Sequence, residues 1–281
     1  MKNIKLTIAY DGTEFHGWQI QPGRRTIQGL LAEIAANVTG ARTVIQGAGR
    51  TDAGVHALGQ VASFHTGSRL SPAEFQRAFN ALLPSAIRVL DAEEVEPRFH
   101  ARWDALAKIY QYRIFRGRVV PPFHRFYALH YPLPLDEAAM AEAARQFEGV
   151  HDFTCFAASA GRQKDRGEAN PVREIFRSEI FRCSSPPFGP AAARYDLAAR
   201  PGSDGCGEEL VYLVRGRSFL RHMVRKLVGT LLDVGRGRLS PGEVGELFDV
   251  RDRARSRATA PPHGLCLISV EYAEPWRIGD A

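Results

Sequence analysis

Two periods alternate along the N-terminal third of the chain, and their order constrains the fold more than any other feature. Ile4, Leu6 and Ile8 alternate with polar residues, so residues 3–9 read as a half-buried strand, closed by the turn Tyr10-Asp11-Gly12-Thr13. Thr26 caps a helix on which Ile27, Leu30, Leu31, Ile34, Ala35 and Val38 recur at helical spacing, and Gly40 stops it. Residues 42–46 and 59–65 read as two extended segments flanking a glycine-rich loop. Ser71-Pro72-Ala73-Glu74 is a capping box with proline at the first helical position. Phe75, Ala78, Phe79 and Leu82 form the apolar stripe of that helix, and Pro84 ends it. Residues 87–95 make a further strand. The order β-α-β-β-α-β is the ferredoxin-like pattern.

The second half repeats the plan without repeating the sequence. Residues 109–115 form a strand that puts Tyr110 and Tyr112 on one face. The proline- and aromatic-rich residues 121–134 read as an irregular connection. A helix from Asp136 carries Ala139, Met140, Ala143 and Phe147. Residues 172–183 and the alternating Leu210, Tyr212 and Val214 are paired strands, and the Pro- and Gly-rich residues 184–209 between them read as a long, mobile hairpin insertion. Residues 218–234 give the strongest helical pattern in the chain, with Arg221, His222, Arg225 and Lys226 in its N-terminal half. Ser240-Pro241-Gly242-Glu243 opens another helix, and residues 265–272 close with a strand. The expected fold is α+β: two ferredoxin-like subdomains, 1–105 and 106–281, joined through mostly antiparallel sheets around a central cleft. Clefts at such junctions are common ligand sites.

Between the two extended segments lies Gly47-Ala48-Gly49-Arg50-Thr51-Asp52-Ala53-Gly54-Val55-His56. Glycine lets the backbone turn tightly and lets another molecule come close. The single carboxylate, Asp52, stands two residues after Arg50. Two readings stand for it: a chemical group presented by a permissive loop, or a turn residue accepting a backbone hydrogen bond. The preceding Phe15-His16-Gly17-Trp18-Gln19 reads as exposed. Its rings either stack on something flat or close the core.

Composition narrows the chemistry. The net charge is +6, and lysine occurs only at Lys2, Lys5, Lys108, Lys164 and Lys226, so arginine carries most of the positive charge. Arginine forks onto phosphate and stacks on bases, which leans towards nucleic acid, although a GC-rich genome produces the same bias. Cys155, Cys183, Cys206 and Cys266 form no C-x-x-C pair and suit reduced thiols in a cytoplasmic protein. The histidines lack metal-ligand spacing, so no metal site is expected. No signal peptide or membrane span is expected either. Asp52 stands where a dinucleotide fingerprint needs its third glycine, so pyrophosphate is excluded from the loop. There is no Walker A motif, no G-x-S-x-G, and no second carboxylate of the kind a glycosidase needs. What remains is one carboxylate, basic surroundings, several aromatics and no cofactor. That inventory suits isomerisation of uridine to pseudouridine in RNA, which needs an aspartate, a flipped base, an aromatic platform and a basic groove.

The motifs resemble those of the TruA-type tRNA pseudouridine synthases. Gly49 to His56 matches the family signature. So do Tyr10-Asp11-Gly12 with Gly17-Trp18-Gln19, Phe99-His100-Ala101-Arg102, Lys108-x-Tyr110-x-Tyr112, His151-Asp152-Phe153-Thr154, and Phe219-Leu220-x-x-Met223-Val224-Arg225 with Gly229. The blocks occur in the family's order across nearly the whole chain. The resemblance implies that Asp52 is the catalytic aspartate and that Tyr110 packs against the target base. It further implies that Arg225 pairs with the aspartate and that Arg50 helps displace the flipped nucleotide. It also implies a homodimer acting on uridines at positions 38–40 of the tRNA anticodon stem-loop, without metal or cofactor. Departures from the family pattern fall in residues 159–170, in the 184–209 insertion and at Arg217-Ser218. Two other readings use the same residues: an RNA-binding or folding-assistance protein without catalysis, and an isomerase or lyase acting on a free nucleoside.

Overall fold

The computed structural model describes residues 1–158, 170–183, 209–250, 258–273 and 276. Residues 184–208 of the Pro- and Gly-rich insertion and the departures at 159–169 lie outside the described residues, whereas Glu209, expected as the end of the insertion, belongs to a strand. The chain divides into two compact units: Met1–Lys108 with the segment from Cys266, and Ile109–Leu265.

In the first unit, β1 (Lys2–Tyr10) lies between β4 (Ile87–Val95) and β3 (His56–Thr66), antiparallel to both. The short β2 (Gln46–Gly47) pairs antiparallel with β3, so the strands run 4-1-3-2 as in a ferredoxin-like unit. The segment expected as a strand over 42–46 reaches extended pairing only at its last residue. β3 is longer than expected and begins at His56. On its free stretch it pairs in parallel with β10 (Leu265–Tyr272), Cys266 opposite His56.

Helices α1 (Ile27–Thr39) and α2 (Pro72–Leu82) begin where their caps place them. The Thr26 hydroxyl accepts from the Gly29 amide, and Gly40 ends α1 in the left-handed region. Ser71 and Glu74 close both bonds of the capping box. Such a cap is worth about 1 kcal/mol. Phe75 and Phe79 are buried and meet Phe64 of β3 at 5.6 and 6.0 Å. Leu82, at the end of the stripe, is exposed instead. The odd-numbered side of β3 builds a second core, in which Val61 packs with Ala48, Val95, Phe99 and Ala101, and Tyr272 and Trp276 cover them. Each face of the strand therefore carries its own hydrophobic layer, as a period of two requires.

In the second unit the strand order is β5 (Ala105–Phe115), β9 (Glu209–Gly216), β8 (Val172–Cys183) and β7 (Gly149–Asp152). β5 carries the chain from one unit into the other. β8 is antiparallel to both β7 and β9. The connection expected to be irregular holds a short strand, β6 (Leu129–His130), parallel to β5. α3 (Glu137–Arg145) starts at its Asp136 cap, and Phe147 follows the helix rather than ending it. Phe147, Phe153, Phe156 and Phe248 of α5 (Pro241–Val250) form an aromatic core with centroids 5.2–6.4 Å apart.

The expected helix over 218–234 is shorter, α4 (Met223–Gly235). His222 has φ 61°, which a right-handed helix cannot contain, so residues 218–222 form an approach segment. Arg221 and His222 thus lie before the helix, whereas Arg225 and Lys226 lie in its first turn. No helix among the described residues is long and apolar enough to cross a membrane.

Candidate active site

The Gly49–Val55 loop is tied to the 10–18 segment from several directions. The Trp18 amide donates to the Thr51 carbonyl at 3.0 Å, and the Gly54 amide donates to the Phe15 carbonyl at 3.3 Å. Within the loop, the Val55 amide donates to the Asp52 carbonyl at 3.2 Å, which closes a turn around Ala53 and Gly54. Gly17 makes the approach possible: its φ is +83°, and a Cβ there would lie 2.6 Å from the Thr51 carbonyl oxygen. The Trp18 indole lies directly against Gly47, leaving no room for a side chain. Phe15 and Trp18 are buried, at 3% and 2% exposure. The stretch expected to be exposed is therefore a packing element beneath the loop, and only His16 and its polar neighbours face solvent.

At the loop's end, His56 is buried. Its Nδ1 accepts from the Gly12 amide at 3.1 Å and lies 3.2 Å from the Asp11 carboxylate. Asp11 in turn accepts from the Thr13 amide and hydroxyl. The turn expected at Tyr10–Thr13 is thus a support for the exit of the loop. Thr51 is buried, Asp52 half-buried and Arg50 exposed. The backbone buries Thr51 beneath the turn and leaves Asp52 only half-buried. A half-buried carboxylate on a pinned turn can accept a proton or approach an electrophilic carbon without first ordering its backbone.

Tyr110 and Arg225 belong to the second unit. Tyr110 is buried, and its ring meets Phe219 edge to face at 5.1 Å. Phe219 comes from the approach segment that His222 bends. Arg225 is half-buried at the start of α4, and its Nε donates to the Ala260 carbonyl at 2.7 Å, while the Ala260 amide donates back to the Arg225 carbonyl. Tyr112, on the same face of β5 as Tyr110, donates its hydroxyl to the Pro261 carbonyl at 2.9 Å. Burial raises the Tyr112 phenol well above its ordinary value, and the Arg225 charge pulls the other way. The guanidinium and both tyrosines are thus organised around the 258–261 segment and β5. The structure places Asp52 and Arg50 in one unit, and Tyr110 and Arg225 in the other.

Sequence reasoning missed two residues beneath the loop. From the sequence, Tyr10 reads as the start of a turn and as part of a family motif without a role of its own, and Gln60 belongs to no motif. The available signal was a glutamine within β3 flanked by apolar residues. No group of three or more His, Cys, Asp or Glu is placed to hold a metal ion among the described residues.

The sequence matches the family described as tRNA pseudouridine synthase over residues 6–104 and 143–273. It is 48% identical over 272 residues to tRNA pseudouridine synthase A of Solibacter usitatus, covering 97% of this chain and all of that protein. The proteins of the same name from Geobacillus sp. and Moorella thermoacetica are 40% and 41% identical. Those alignments cover 96% and 97% of this chain and 98% and 100% of those proteins.

Proposed function

The chain belongs to the tRNA pseudouridine synthase family and is an isomerase, and from that premise we propose that Asp52 supplies the carboxylate for turning uridine into pseudouridine at positions 38–40 of the tRNA anticodon stem-loop. The observation that carries this reading is the pinned turn. Its backbone is held on both sides of Asp52, and its one carboxylate belongs to a half-buried residue.

The chemistry balances on the substrate alone. The N1–C1′ bond breaks, the base turns, and C5 joins C1′; the C5 proton leaves and N1 takes one up. No oxidant or reductant is consumed. The carboxylate promotes cleavage of the glycosidic bond, and the base must first leave its stack. Tyr110 offers a ring to the extruded uracil, an interaction worth roughly 1–3 kcal/mol. Arg50, exposed at the loop, fills the place of the displaced nucleotide. Arg225 adds substrate-binding charge from the second unit. The arginine surplus supplies the attraction for the tRNA backbone. The family resemblance extends the reading to a cytoplasmic homodimer whose two copies contact one tRNA.

The test is to incubate the protein with unmodified tRNA transcript and map pseudouridine by chemical labelling. New pseudouridine confined to the anticodon arm supports the reading; its absence there refutes it. Turnover of free uridine monophosphate at a comparable rate would replace it with a nucleoside isomerase.

A further inference from the structure

A buried hydrogen-bond chain runs under the Gly49–Asp52 turn. Tyr10 Oη of β1 lies 2.7 Å from Thr51 Oγ1. Gln60 Nε2 of β3 lies 3.4 Å from Tyr10 Oη and 3.0 Å from the Gly49 carbonyl. Tyr10, Thr51 and Gln60 are 4%, 6% and 0% exposed, so no substrate reaches any of them directly.

Counting donors fixes the Gln60 end of the chain. Gln60 Oε1 accepts from the Val61 amide at 3.1 Å, which leaves Nε2 to donate to Gly49 and Tyr10. The Tyr10 oxygen accepts there, and one further hydrogen joins it to Thr51 Oγ1, with either hydroxyl able to donate it. Burial holds the phenol far above its ordinary pKa, with the bonds to Thr51 and Gln60 acting the other way, so it stays protonated at working pH. The pattern clamps the turn at two points: the carbonyl of Gly49, just before Arg50, and the side chain of Thr51, just before Asp52. Three polar groups buried in a core are costly unless fully paired, and full pairing rigidifies what they touch.

We propose that Tyr10 and Gln60 are positioning residues that, through Gly49 and Thr51, fix the Asp52 carboxylate in its productive orientation. The proposal rests on the reading of Asp52 as the catalytic group. Side chains that touch no substrate matter here because a carboxylate displaced by about 1 Å loses on the order of 100-fold in rate.

Tyr10→Phe removes only the hydroxyl and keeps the ring that packs 6.3 Å from Trp18. Steady-state turnover and binding of an anticodon stem-loop transcript should be measured for Tyr10→Phe, Thr51→Val, their combination, Thr51→Ser and Asp52→Ala. The expected result is a kcat lowered roughly 10- to 100-fold in Tyr10→Phe and in Thr51→Val, with transcript affinity within about 3-fold of the parent. The double variant should lose no more than either single one, because both cut the same bond. Thr51→Ser, which keeps the hydroxyl, should turn over like the parent. Parent rates in both Tyr10→Phe and Thr51→Val beside an inactive Asp52→Ala overturn the positioning role and leave Asp52 standing. A loss of kcat matched by an equal loss of binding-competent protein overturns it as well. Turnover by Asp52→Ala removes the reading beneath it.

Discussion

The backbone amide of Trp18 donates to the carbonyl of Thr51 at 3.0 Å, so the residue that precedes the candidate catalytic carboxylate is held by a segment more than thirty positions earlier. The indole of the same tryptophan packs on Gly47, at the loop's entrance. One residue thus fixes the loop by hydrogen bond and by shape.

That approach depends on Gly17. Gly17→Ala puts a methyl group 2.6 Å from the Thr51 oxygen in a backbone conformation that L residues rarely adopt. We expect a loss of roughly 1–3 kcal/mol in urea-induced unfolding, together with a lower kcat as the loop shifts. A variant with parent stability and parent kcat would show that the segment and the loop are not mechanically linked.

Tyr110 makes a separate demand in the second unit. Tyr110→Leu removes the ring offered to the base and the edge-to-face contact with Phe219. Turnover should fall by roughly 5- to 150-fold, the equivalent of about 1–3 kcal/mol of lost stacking. Single-turnover assays at saturating tRNA check this, and an unchanged rate would reassign Tyr110 to packing alone.

The core of the second unit contains a bidentate ion pair. Arg113 Nε and Nη2 donate to the two oxygens of Glu209, at 2.7 and 2.5 Å, with His124 Nδ1 3.3 Å from the same carboxylate. Arg113 is 3% exposed and Glu209 is fully buried. Glu209→Ala takes this carboxylate away from a buried guanidinium and should cost about 3–5 kcal/mol in chemical denaturation. Replacing both residues by apolar ones of similar volume should recover most of that loss.

Lys108 gives a pH signature. Burial, aided by the nearby Arg102 charge, lowers its pKa to about 8 from an ordinary 10.5. The unfolded chain therefore binds more protons between those two values, and stability rises with pH across the window from 8 to 10.5. Below it, the folded state carries a buried charge that costs on the order of 3 kcal/mol. Lys108→Met should be more stable than the parent at neutral pH and should lack the rise. Unfolding midpoints across this range measure it, and identical pH profiles would contradict the burial argument.

Local rules made much of this fold legible. The caps at Thr26 and Ser71, the helix start at Asp136 and the alternation in β1 are set by neighbours in sequence, and the structure places them where those rules put them. Features decided by distant partners were not legible. β10 reads as a strand from its own residues, but nothing in it announces a parallel pairing with His56 and Ala57. Residues 218–222 carry helical periodicity, yet His222 turns left-handed and ends it. Phe15 and Trp18 read as exposed because their burial depends on the loop that folds over them. The candidate site divides the same way. Asp52 stood out as a carboxylate among glycines, whereas Tyr10 and Gln60 acquire meaning only when β1 and β3 bring them under Thr51.

The role of Asp52 is tested by release of the C5 hydrogen from tRNA labelled there with tritium, comparing the parent with Asp52→Asn, which keeps the size and one acceptor oxygen but removes the charge. The variant is expected to bind the tRNA as the parent does and to release tritium about 10²–10⁴-fold more slowly. Tritium release by Asp52→Asn at the parent rate would contradict it.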